Sequence, residues 1–198
     1  MKKFLFVTAL IICVLVFFGC TSSKNNYDVI NELIKADYSS VKLEVTTTLD
    51  GESLKGEYST TATTGGYKVD YRYEQLNSFA ESDGDIVIPD EYKTTYSGSA
   101  TVVDGKVTSQ TGDETDIPLE RLTATRLSFS ASYFSDVQQR DGDFFAKVTD
   151  VKGFFGQAIS ASNMTVTVKY TAESLNSVTI RYRSGNGAQI IMIYSFKR

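Results

Sequence analysis

Histidine and tryptophan are absent from this chain of 198 residues, and proline and cysteine occur only twice each. Without histidine the sequence has neither the commonest general base nor the usual zinc ligand, and no side chain that titrates near neutrality. The two cysteines, Cys13 and Cys20, cannot supply a disulfide framework, because Cys13 lies inside an apolar run. Basic residues are also short, 20 against 24 acidic ones for a formal charge of −4, and they form no cluster. That balance excludes the electrostatic footprint of a nucleic-acid-binding protein and any polybasic attraction to anionic lipid. No Gly-x-Ser-x-Gly elbow, phosphate-cradling Gly-x-x-x-x-Gly-Lys or dinucleotide-binding Gly-x-Gly-x-x-Gly occurs. The chain does hold 12 tyrosines and 12 phenylalanines, residues that suit sheets.

There is one long hydrophobic run. Lys2 and Lys3 precede Phe4 to Phe18, 15 residues without a charge, and then come Gly19, Cys20 and the polar Thr21-Ser22-Ser23-Lys24. A basic start, a short apolar stretch and a small residue form the three-part pattern of an export signal. As a helix the run would span about 22 Å, short of the ~30 Å hydrocarbon core of a bilayer. The stretch VLVFFGCTSS resembles the lipobox of bacterial lipoproteins, with Gly19 as the small residue before the cysteine and a Ser/Thr-rich tether after it. Phe17 and Phe18 stand where leucine and a small residue are usual.

The resemblance implies cleavage after Gly19 and diacylglyceryl and palmitate attachment at Cys20, leaving a lipoprotein held at the extracytoplasmic face of a cell membrane. An uncleaved signal anchor and a conventional secretory cleavage are the alternatives. Each buried methylene contributes about 0.8 kcal/mol, so two or three acyl chains anchor a domain where one does not. Removing residues 1–19 leaves 179, with 18 basic against 24 acidic side chains, enough for one domain. Cys20 is then the only cysteine, and its sulfur is occupied.

Residues 20–26 read as a short lipidated tether and 27–198 as a single domain. Tyr27 to Tyr38 places Tyr27, Ile30, Leu33 or Ile34, and Tyr38 on one helical stripe, with Asn25 or Asn26 as N-cap. From Ser40 the period changes to 2: Val41, Leu43, Val45 and Leu49 alternate with Lys42, Glu44 and Thr48. Asp50-Gly51 and Gly65-Gly66 turn this strand into a second, Leu54 to Thr63, and a third, Tyr67 to Glu74, predicting a meander with one apolar and one charged face. Ser78 to Glu91 reads as an acidic loop, followed by a strand from Tyr92 to Val103, a turn at Asp104-Gly105 and a return strand from Lys106.

Between Pro118 and Val137 helical and alternating patterns compete. The opening proline and the Leu, Ala, Arg and Glu content favour helix. Asp143 to Thr149 predicts a short strand, and Asp150 to Gly156 a turn or short helix. Three strands close the sequence, the last, Gln189 to Phe196, apolar on both faces through Ile191 and Ile193. It is therefore expected inside the sheet and covered on both sides.

Few constellations suggest chemistry. Ser39-Ser40-Val41-Lys42 has Ser-x-x-Lys spacing but lacks the companion Ser-Asp-Asn and Lys-Thr-Gly motifs. Glu81, Asp83, Asp85, Asp90 and Glu91 lack the order of a calcium loop and read as solvated surface. The sequence thus points away from an enzyme, a metal or another cofactor. The tyrosine stripe Tyr58, Tyr67, Tyr71 and Tyr73 either packs against cross-strand neighbours or lines a pocket. In the pocket reading Tyr58 and Tyr71, with Phe129, Phe134, Phe154 and Phe155, border an apolar ligand.

The expected fold class is α+β, mainly β: a curved antiparallel sheet, or half-barrel, packed on an N-terminal helix and short helical segments. The order of elements, carried by YDVINELIKADYSSVKLEVTTTL and NMTVTVKYTAESLNSVTIRYRSGNGAQIIMIYSF, resembles the half-barrel of outer-membrane lipoprotein carriers and mycobacterial glycolipid-binding lipoproteins. That resemblance implies an acyl-chain site on the inner side of the sheet, with a lipid or other amphiphile as partner. The other reading is a surface lipoprotein acting as an adhesin or envelope interaction module without a small ligand.

Overall fold

The computed structural model describes residues 25–77, 80–82, 85–87, 92–113, 117–122, 124–140 and 142–198. Helix α1 (Asn26–Ile34) starts where the Asn25 side chain accepts a hydrogen bond from the Asp28 N–H, and it buries Ile30, Leu33 and Ile34. An Asn N-cap with an acidic residue in the first turn satisfies a free N–H and complements the helix dipole. Strands β1 (Ser40–Leu49), β2 (Glu52–Thr63) and β3 (Gly66–Leu76) follow as an antiparallel meander. Asp50 and Gly51, and later Asp104 and Gly105, take positive φ at the tight turns where the sequence places them.

The acidic segment is more than a loop: β4 (Ala80–Ser82) and β5 (Asp85–Val87) pair as a small separate hairpin. Asp83, Asp90 and Glu91 of the acidic set, and the side chains of Glu81 and Asp85, lie outside the described residues. Strands β6 (Lys93–Val103) and β7 (Lys106–Gly112) complete the first half-sheet. The segment from Pro118 is not one helix. It consists of a single turn α2 (Leu119–Leu122), 3-10 turns at Ala124–Arg126 and Ala131–Tyr133, and then an edge strand β8 (Phe134–Arg140).

The second half-sheet adds β9 (Asp143–Val148), helix α3 (Val151–Phe155), β10 (Ala161–Tyr170), β11 (Leu175–Ser184) and β12 (Gln189–Lys197). The result is one open, curved antiparallel sheet of ten strands in the order β7-β6-β3-β2-β1-β12-β11-β10-β9-β8. The fold is mainly β with a few helical segments, the α+β half-barrel class expected. The first and last long strands meet at its centre, with Leu43 opposite both Tyr194 and Tyr58.

Alternation assigns the faces. Leu43, Tyr58, Val69, Ala100, Tyr194, Ile180, Val166 and Phe144 share the inner face with α1 and the short helical segments. The outer face carries Lys42, Glu44, Lys68, Asp70, Thr179 and Arg181, and its ion pairs (Lys42 to Glu44 at 2.8 Å, Lys68 to Asp70 at 2.9 Å) are exposed ones that contribute little stability. Strand β12 is central, as expected, but is not buried on both faces. Met192 and Tyr194 are buried inside, whereas Ile191 and Ile193 are half-buried outside, beside Thr46 and Glu44 on one flank and Arg181 and Thr179 on the other. Neighbouring threonine and arginine stems shield these isoleucines in place of a second layer.

Candidate functional site

Residues 117–122 and 124–127 form a strap across the inner face. Pro118 starts it with two short backbone bonds, Leu119 N–H to the Ile117 carbonyl at 2.7 Å and Arg121 N–H to the Pro118 carbonyl at 2.8 Å. Leu122, Ala124 and Leu127 point inward and are buried, which anchors a segment too short to hold itself as a helix. From the sheet, the Tyr194 hydroxyl donates to the Arg121 carbonyl at 2.8 Å. Burial pushes this phenol well above its ordinary range, so it remains a donor, although the Arg121 charge acts in the opposite sense.

The strap separates three spaces. An open groove of about 210 Å³ runs over Leu43, Val45, Leu54, Tyr58 and Tyr73 and is bordered by Arg121. A second groove, about 260 Å³, lies over Val41, Ala62, Tyr67 and Phe196 at the C-terminal end of α1. Between strap and sheet an enclosed pocket of about 20 Å³ is walled by Arg121, Phe155, Tyr182, Met192 and Tyr194. That last volume is large enough for a water or two at most.

Two arginines act on the phenols that line these spaces. Burial raises the Tyr58 and Tyr182 phenols, and the Arg121 charge pulls both back. Burial likewise raises Tyr67, and Arg126 opposes it. Among the described side chains, which do not include that of Glu120, no carboxylate lies within ion-pair distance of either guanidinium, whereas Lys42, Lys68, Lys93 and Lys147 each have at least one. Tyr58 and Tyr182 line the strap spaces, and their hydroxyls have no hydrogen-bond partner among the described residues.

The residues singled out from sequence separate into two groups. Tyr58 borders the open groove and Phe155 the small pocket between strap and sheet. Phe129, Phe134 and Phe154, which are 3%, 8% and 0% exposed, pack ring against ring with one another, and Phe129 and Phe134 also with Phe144, at centroid distances of 5.4 to 5.7 Å. They fill the β8–β11 half of the interior, where α1 adds Tyr27 stacked on Phe134. Tyr71 is 4% exposed and its hydroxyl donates to the Asp113 carbonyl, which ties the end of β7 down onto β3. Tyr73 stacks on Tyr96 across the strand pair at 5.2 Å. Cys20 and Gly19 lie outside the described residues.

The Ser-x-x-Lys pair sits at the start of β1. Ser39 Oγ donates to the Lys197 carbonyl at 3.0 Å, and the Lys42 ammonium, bonded to Glu44 and near Glu57, is raised above its ordinary value. A lysine held in its charged form is a poor proton acceptor for a serine. Sequence reading did not single out Arg121 or Arg126, because nothing periodic marks a strap, nor Tyr182, whose alternation along β11 marks only a strand face. The one available signal was an arginine beside Leu122 in a Pro-initiated segment. Among the described residues no helix is long and apolar enough to cross a membrane, and no three acidic or cysteine side chains gather as a metal site. No protein-family model and no curated protein matches the chain.

Proposed function

We propose that this chain is a membrane-anchored extracytoplasmic lipoprotein, held through acyl groups on Cys20, that binds the apolar part of an amphiphile on the inner face of its sheet. The observation that carries the reading is the asymmetry of that face. One half is packed solid by Phe129, Phe134, Phe144 and Phe154, while the β1–β3 half keeps a groove of about 210 Å³ floored by Leu43, Val45 and Leu54 beneath a strap. Ligand sites are concave, mostly apolar and supplied with a few placed polar groups, which the strap edge provides. The size suits one alkyl chain, not a multi-acylated lipid.

The test is native mass spectrometry of residues 24–198 purified from bacteria without detergent. A co-purifying single-chain amphiphile is expected. A domain that is ligand-free and takes up none on incubation would sink the binding reading and leave the second one, an envelope interaction module. What favours that second reading is the outer face, where Ile191 and Ile193 interrupt a field of threonine and charged side chains.

A further inference from the structure

Resting on that reading, we propose that Arg121 is the head-group residue of the groove and that the amphiphile is a single-chain anion, a carboxylate or a phosphate monoester. Its alkyl chain lies over Leu43, Val45 and Leu54, and its oxyanion meets the Arg121 guanidinium where groove and enclosed pocket adjoin.

Four observations converge on this side chain. Arg121, an exposed residue, borders both spaces, so a ligand in the groove is within its reach. Among the described side chains, which do not include that of Glu120, it has no carboxylate partner, in a chain whose formal charge is −4. The groove's other charged neighbours, Lys55 and Glu74, stand on outer-face positions at its rim, and Glu74 accepts the Lys55 backbone N–H at 2.9 Å. Finally, the half-buried Tyr58 and Tyr182 hydroxyls lie within the field of this guanidinium and have no partner of their own among the described residues, and burial keeps them protonated as donors. A planar guanidinium offers two parallel N–H donors to a carboxylate or phosphate, and phenol donors beside it complete the coordination of an oxyanion. A neutral alcohol of the same length gains the chain contacts alone.

The experiment compares three probes of equal chain, decanoate, decyl phosphate and decanol, titrated against the full chain in phosphatidylcholine nanodiscs with empty nanodiscs as the blank. An anion is expected to bind about tenfold or more tightly than decanol, the effect of one charge-assisted contact. Whichever anion leads separates a carboxylate head from a phosphate one. Arg121→Gln should reduce both anions to the decanol level while decanol binding stays unchanged, which shows that the groove is intact, and Arg121→Lys should keep part of the preference. Equal binding of all three probes by the native chain, or an anion preference that survives Arg121→Gln, overturns the assignment and leaves the groove reading standing. Binding of none of the three above the blank overturns both.

Discussion

Asn31 and Phe129, 98 positions apart, are joined by a reciprocal pair of hydrogen bonds. Asn31 Nδ2 donates to the Phe129 carbonyl at 2.7 Å, and the Phe129 N–H donates to Asn31 Oδ1 at 2.9 Å. The amide thus stands in for a strand partner and fixes the irregular 127–130 segment to α1. Asn31→Ala leaves both backbone groups of Phe129 without a partner in a part-buried site and should cost about 2 kcal/mol. Asn31→Asp, which keeps the acceptor and loses the donor, should fall between. Urea unfolding midpoints check the order; an unchanged Asn31→Ala midpoint would refute it.

Tyr194→Phe removes the bond from the sheet to the strap at Arg121. The expected loss is about 1 kcal/mol, and amide exchange in residues 119–127 should accelerate more than in the strands. Uniform acceleration across the sheet would mean that the bond does not hold the strap separately.

Alkaline pH should unfold this protein progressively. Tyr58, Tyr67, Tyr170, Tyr182 and Tyr194 are all raised by burial, so the folded state binds these protons more tightly than the unfolded chain does. Their contribution is complete below about pH 10, where unfolded phenols are protonated, and is lost as pH rises through the folded values. Stability followed in urea from neutral to strongly alkaline pH should fall beyond that point, and less steeply in Tyr194→Phe.

Phe154 and Phe155 are adjacent and should behave differently. Phe154 is fully buried against Phe129, Phe134 and Phe155, so Phe154→Ala should cost about 3–5 kcal/mol. Phe155 is half-buried at the wall of the enclosed pocket, and its truncation should cost less while enlarging that pocket. Similar losses from both would contradict the division between packed and open halves.

Membrane attachment is expected to depend on one atom, the Cys20 sulfur. Cys20→Ser should abolish labelling by a palmitate analogue and move the protein from the membrane to the soluble fraction. Retained labelling would remove the lipoprotein reading.

Much of the sheet was legible because its signals are local. Period-2 alternation marks β1, β3, β10 and β11, and Asp50-Gly51 and Asp104-Gly105 supply the positive φ of their turns. Strand β8 was hidden because a bulge between Ser135 and Gln138, with Asp136 at positive φ, breaks the alternation of an exposed edge. Ile191 and Ile193 suggested a second covering layer that the fold does not supply. The site was the least legible part. Arg121 acquires its setting only when β2, β11 and β12 bring Tyr58, Tyr182 and Tyr194 to it, and no short-range pattern encodes that convergence.

The pairing of β1 with β12, from Ser40 opposite Lys197 to Thr48 opposite Gln189, also sets an order in time. Each half-sheet is a run of hairpins that can zip locally and quickly, but the seam between them joins segments from opposite ends of the domain and must wait for a very large loop to close. Until β12 has been synthesised, β1 offers an unpaired edge to any passing strand. The closing of this seam is therefore expected to be the slowest step of folding. A delay there, more than any loss inside either half, is what would commit the chain to aggregation.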